Sequence, residues 1–250
     1  MSKRNFCWPV GFLVWFLAAI LVVGCREGEV PVAPLKSKVL SETKRPDPAR
    51  FAKEIAAFDK EELENAPPRG GIVFTGSSSI RLWKLGEAFA DLPVLNRGFG
   101  GSVANDLIVY ADQVVLRYEP KVLVVYTGSN DINAKLTVEE ALADFTGFLE
   151  LVNRKLPETK VLVNPVKISR KRIEQIEKVR ELNGKLKAWC AERPWTRWVE
   201  TAQYLEDENG QPIDRFFAKD QLHLSPEGYV EWEKILGPVL REEWEKKAKG

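Results

Sequence analysis

Short apolar runs recur along the middle of this chain, each too short for a helix and each followed by a turn. Ile72-Val73-Phe74-Thr75 ends at Gly76, and Val94-Leu95-Asn96 runs into a glycine-rich stretch. Val122 to Tyr126 carries no polar side chain before its terminal hydroxyl, and Val161-Leu162-Val163 stops at Asn164-Pro165. Trp198-Val199 suggests a fifth run. Continuous rather than alternating apolar character is the mark of strands covered on both faces. Between the runs the period changes. Residues 49–63, 103–116, 137–156 and 170–190 read as helices. The last of these carries Ile173, Ile176, Val179, Leu182, Leu186 and Trp189 on one side. A final helix follows Ser225, a good N-cap, and Pro226, suited to the first helical position; Tyr229, Trp232, Ile235, Leu236 and Val239 carry it. Strand–helix alternation predicts an α/β fold: a five-stranded parallel sheet in a three-layer α/β/α sandwich.

The amino-terminal segment stands apart. Lys3 and Arg4 precede Val10 to Val23, a run without a polar side chain, in the charged-then-apolar layout of an export signal. The run ends Val22-Val23-Gly24-Cys25, which resembles the lipobox of bacterial lipoproteins. That resemblance implies removal of residues 1–24 and lipidation of Cys25. The protein would then be exported and anchored to a bacterial membrane through its first residue, since two or more acyl chains give stable anchoring. The same stretch also fits an uncleaved anchor, because residues 6–24 are free of charge and about long enough to span a bilayer. Ordinary cleavage is the third possibility. Residues 25–47 hold Pro31, Pro34 and Pro46 among charged and small side chains and read as a tether with a reach of roughly 25 Å. Residues 48–250 then form one domain.

Composition excludes several classes. Lys plus Arg number 37 and Asp plus Glu 36, a net charge of +1, which lacks the basic excess of a nucleic-acid-binding domain. Three cysteines exclude a disulfide scaffold, and Cys190, in an amphipathic pattern, reads as a small core residue. A single histidine excludes a metal site built on two.

In open parallel sheets ligands bind beyond the carboxyl ends of the strands. The segments there are Gly76-Ser77-Ser78-Ser79, Arg97 to Ser102 and Gly128-Ser129-Asn130-Asp131, with Asp220-Gln221-Leu222-His223 just before the last helix. Each alone is an ordinary turn. The first is no phosphate loop, because the required Gly-Lys does not follow. The second is no dinucleotide loop, because position 103 is Val rather than Gly. The Gly-x-Ser-x-Gly elbow of the α/β-hydrolases is absent as well.

Taken in order, the four segments resemble the SGNH hydrolases, also called GDSL esterases and lipases, over residues 70–240. Gly76-Ser77-Ser78 stands where that family has Gly-Asp-Ser, with Ser77 replacing the aspartate; Gly128-Ser129-Asn130-Asp131 matches Gly-x-Asn-Asp, and Asp220 to His223 matches Asp-x-x-His. The resemblance implies the family's SGNH (flavodoxin-like) sandwich and a nucleophile at Ser78, with His223 as base and Asp220 as its orienting acid. It implies an oxyanion hole from the backbone N–H of Ser78, that of Gly101 (or Gly100, one register off) and the Asn130 amide. No cofactor or metal is implied. The implied reaction is hydrolysis of carboxylic esters through an acyl-serine, on short acyl groups of a glycan or small ester. A lysophospholipase or thioesterase, or a non-catalytic glycan-binding protein, is the alternative. Trp83, Phe99, Trp195, Phe216 and Phe217 are candidates either for a pocket or for the core. Lys167, Arg170, Lys171 and Arg172 read as a solvated helix start.

Overall fold

The computed structural model describes residues 45–248. The signal, Cys25 and the first part of the tether lie outside them. Five strands, β1 (Ile72–Gly76), β2 (Val94–Gly98), β3 (Val122–Tyr126), β4 (Lys160–Val163) and β5 (Thr196–Trp198), form one sheet in the order β2-β1-β3-β4-β5. Every pairing is parallel. The helices are α1 (Ala52–Asn65), α2 (Ser78–Arg81), α3 (Leu85–Ala88), α4 (Ala104–Val109), α5 (Ala111–Val114), α6 (Ser129–Asn133), α7 (Val138–Lys155), α8 (Ile176–Ala191) and α9 (Pro226–Ala248).

Side chains alternate across the pleat and feed two cores. Val73, Leu123, Val125, Val161 and Val163 pack with residues of α1, α4, α5, α7 and α8. Ile72, Phe74, Val122, Val124, Tyr126 and Leu162 pack with residues of α2, α3 and α9. Both faces are covered, which is why these strands carry unbroken apolar runs. The expected three-layer sandwich is therefore observed. Cys190 is buried in the first core.

Local signals place the helix starts. The Thr137 hydroxyl accepts the Glu140 N–H at 3.2 Å while Glu140 accepts the Thr137 N–H at 2.8 Å, a reciprocal cap that opens α7. The Ser225 hydroxyl accepts the Gly228 N–H at 3.2 Å at the start of α9.

Three expectations are corrected. The helix expected over 103–116 is two short helices and a 3-10 turn, broken at Tyr110, whose hydroxyl is drawn to the Pro48 carbonyl at 2.9 Å. The helix expected over 170–190 begins as a 3-10 segment, Arg170–Gln175, with Arg172 out of helical conformation at φ −130°. That turn takes Ile173 off the apolar stripe, and it is 37% exposed. Finally Arg45 to Asp47, assigned to the tether, are fixed to the domain: Arg45 makes two bonds to Asp144, at 2.6 and 3.0 Å, and Asp47 caps the 3-10 turn Pro48–Phe51.

Candidate functional site

Strand register brings the rim together. Gly76 is level with both Gly98 and Tyr126, and Val125 with Val163, so the segments that follow all emerge at one edge. β1 lies between β2 and β3, where the chain reverses its direction of winding, the usual crevice of such a sheet. Gly76 is required there. Its φ is +135°, and a Cβ would sit 1.9 Å from the Tyr126 carbonyl oxygen.

The turn after Gly76 separates the three serines. Ser77 continues the strand ladder, donating its N–H to the Tyr126 carbonyl at 3.1 Å. Ser79 is buried, and its carbonyl accepts the Tyr229 hydroxyl at 2.9 Å. Ser78 opens α2, and its Oγ lies 2.9 Å from Nε2 of His223.

His223 is held by its own loop. Gln221 adopts a left-handed conformation, φ +57°, which turns Asp220 back beneath the residues that follow it. One Asp220 oxygen accepts the N–H groups of Leu222 and His223, both at 3.0 Å; the other meets Nδ1 of His223 at 2.6 Å. A carboxylate only accepts, so Nδ1 carries the proton and Nε2 is left to accept from Ser78. Partial burial raises the Asp220 carboxyl, but the imidazole and the two N–H groups outweigh it and hold the pKa at about 2.

Opposite the imidazole stands Asn130. Its Nδ2 donates to the Ser102 carbonyl at 3.0 Å, and its Oδ1 accepts from Arg172 at 3.0 Å. These bonds fix which way the amide faces and leave one N–H of Nδ2 over. Gly101 has φ +88° and open space where a Cβ would lie, whereas a Cβ on Gly100 would press within 2.7 Å of the Arg81 guanidinium.

The basic segment is a solvated helix start only in part: Arg170 and Lys171 are exposed, whereas Lys167 and Arg172 turn inward. Lys167 is buried, donates to the Leu222 carbonyl at 2.8 Å and lies over the rings of Tyr126 and Phe217. The Lys171 N–H holds the Gln221 carbonyl at 3.0 Å, and Arg172 also bonds the Ser129 hydroxyl and carbonyl. One stretch, 167–172, thus braces both the histidine loop and the Asn130 turn. The available signal was four cations within six residues and no acid among them. Of the five aromatic candidates, only Trp83 reaches the cavity beside His223, and it is itself a core residue, as are Phe99, Phe216 and Phe217. Trp195 precedes β5, so it sits at the opposite edge of the sheet.

Asp131 was also missed. It is fully buried, with one oxygen on the Ala104 N–H at 2.9 Å and the other without a partner. Burial, only partly offset by that N–H, pushes its carboxyl up to about 7. In the unfolded chain the group titrates near 3.8. Between these values the folded protein keeps a proton that the unfolded chain has lost, so stability falls as pH rises through that window. Urea unfolding midpoints measured across it should decline, and Asp131→Asn should flatten the decline.

The arrangement can pass a hydroxyl proton to an imidazole whose far side is neutralised by a carboxylate, next to unoccupied N–H donors. A sequence model of the GDSL-like lipase/acylhydrolase family matches residues 78–230. The chain belongs to that family. The human platelet-activating factor acetylhydrolase IB subunit alpha2 is 28% identical over 125 residues, 43% of this chain and 53% of the subunit. The chain thus aligns with about half the length of the curated relatives it matches. Among solved structures, a Streptococcus pneumonia protein named for platelet activating factor superposes with TM-score 0.69 at 24% identity, over 77% of this GDSL-family chain and 93% of its own. An acetyl xylan esterase of Geobacillus stearothermophilus gives 0.55 at 16% identity, over 70% and 95%. These likenesses show the common fold.

Proposed function

We propose that the protein is a serine esterase acting through an acyl-Ser78 intermediate. The observation that carries this is the chain of contacts from Ser78 Oγ to His223 Nε2 at 2.9 Å and from His223 Nδ1 to Asp220 at 2.6 Å. Membership of an acylhydrolase family supports the reaction class.

As Ser78 Oγ attacks the ester carbonyl carbon, its proton passes to His223 Nε2. The tetrahedral intermediate places its oxyanion against the N–H groups of Ser78 and Gly101 and the free N–H of Asn130, each donor contributing roughly 10²–10³ in rate. The bond to the alcohol oxygen then breaks, and that oxygen takes the proton from Nε2. Water repeats the sequence, giving its proton to His223 and releasing the acid as Ser78 recovers its hydrogen. Asp220 holds the tautomer and stabilises the imidazolium; it stays ionised throughout, in keeping with its depressed pKa.

Arg172 is a positioning residue in this scheme, because it fixes the face of the Asn130 amide. Arg172→Ala should lower kcat by roughly 10- to 100-fold with KM little changed, and Arg172→Lys should restore part of it. Equal loss in both variants, or a change confined to KM, would show that Arg172 serves another purpose.

The preferred substrate in this proposal is a short acyl ester, acetyl foremost, of a glycan or small alcohol. The names of the human subunit and of the Geobacillus enzyme both specify acetyl esters. The test compares 4-nitrophenyl acetate with the octanoate, beside Ser78→Ala. Acetate should be preferred at least tenfold. Octanoate preference would instead indicate a lysophospholipase or thioesterase, and no turnover dependent on Ser78 a binding protein. We also propose that lipidated Cys25 anchors the protein to the exported side of a bacterial membrane; Cys25→Ala should abolish incorporation of labelled fatty acid.

A further inference from the structure

We infer that the cavity bordering His223 and Asp220 receives the alcohol part of the ester, and that this alcohol carries no negative charge and presents a ring-sized apolar face. The inference rests on the esterase reading above. His223 borders two spaces. One is the small recess with Ser78 and Asn130, where the carbonyl oxygen must point to meet its donors. The other is a cavity of about 610 Å³ that borders His223 and Asp220 but neither Ser78 nor Asn130. The leaving oxygen must take its proton from Nε2, so the group it carries departs past the imidazole. The ester therefore lies with its carbonyl oxygen in the recess and its alcohol in the cavity. That volume is typical of small-molecule sites.

The walls specify the alcohol. Trp83 and Tyr229 lie with ring centres 5.5 Å apart and planes inclined by 33°. Their polar tips are already used: the indole N–H donates to Glu233 at 3.0 Å and the phenol to the Ser79 carbonyl. What they offer the cavity is carbon, chiefly from Tyr229, since Trp83 is packed against Phe74, Phe89 and Trp232. Leu82 and Val230, 44% and 45% exposed, add apolar surface to the lining. The charges are mostly negative. Glu87 is paired with Lys84 at 3.3 Å, but no ion pair among the described residues balances Glu233, and Asp220 remains ionised. A carboxylate or phosphate on the alcohol would enter against both.

Three acetate esters test this: phenyl acetate, 4-acetoxybenzoate and ethyl acetate, each rate normalised to its hydroxide-catalysed hydrolysis. Phenyl acetate should exceed 4-acetoxybenzoate at least tenfold in kcat/KM, and Glu233→Gln should narrow that ratio severalfold. Val230→Trp, which fills the cavity, should raise KM for phenyl acetate at least fivefold more than for ethyl acetate. Leu63→Trp, on the exposed side of α1, should change none of these. The inference is overturned if Val230→Trp affects both esters alike or if Glu233→Gln leaves the ratio intact. Saturation-transfer NMR of phenol and 4-hydroxybenzoate with the Ser78→Ala protein reads the cavity without turnover. Phenol should show transfer that Val230→Trp removes, and 4-hydroxybenzoate should show little. Transfer to both equally contradicts the inference even if ester hydrolysis itself proves absent.

Discussion

Ser78→Ala should lower kcat/KM for a short acyl ester by roughly 10⁶, the scale of loss when the nucleophile of a serine hydrolase is removed. Ser77→Ala and Ser79→Ala should stay within about tenfold of the parent. The difference follows from geometry, because three chemically identical side chains sit in three environments. Ser77 is 3% and Ser79 2% exposed, and neither hydroxyl reaches His223. Of the three, Ser78 Oγ alone has an acceptor for its proton among the described residues. His223→Ala should match Ser78→Ala, and the double variant should lose little more, because the two groups act as one unit. Hydrolysis of 4-nitrophenyl acetate checks the series. A deficit in Ser77→Ala as large as in Ser78→Ala would move the nucleophile by one position.

Asp220→Asn should cost roughly 10⁴ in kcat, although it alters neither size nor shape. The reason lies in the two backbone bonds. One Asp220 oxygen is already committed to the N–H groups of Leu222 and His223. An asparagine must keep its carbonyl oxygen there, since an amide NH₂ cannot accept. Its NH₂ then faces Nδ1 of His223, which must turn acceptor, and the ring proton moves to Nε2. The imidazole would present a proton to Ser78 instead of a lone pair. Near neutral pH the variant should unfold at a somewhat lower urea concentration than the parent, because it gives up the folded-state stabilisation of the carboxylate, so kcat is compared well below both midpoints. A variant retaining a tenth or more of the parent kcat would remove Asp220 from the mechanism.

Much of the architecture was legible because burial writes itself into residue type. A strand covered on both faces has no polar positions, and Val122 to Tyr126 was bounded without error for that reason. The helix end capped by Ser225 was equally plain. The breaks at Tyr110 and Arg172 were not, since each depends on a distant partner, the Pro48 carbonyl and the Asn130 amide. The same holds in the site. Ser78, Asp220 and His223 stood out as a pattern of reactive types in fixed order. The brace did not, because Lys167 and Lys171 meet backbone carbonyls, and a carbonyl leaves no trace in the sequence. Gly100 and Gly101 could not be told apart by type; φ and the nearness of Arg81 distinguish them.

The most direct measurement is peptide mapping by mass spectrometry after reaction with a fluorophosphonate, which traps an activated serine covalently. A single adduct on Ser78, lost in His223→Ala, is the expected result. An adduct on Ser77 or Ser79, or labelling that survives removal of the imidazole, would contradict the proposed esterase.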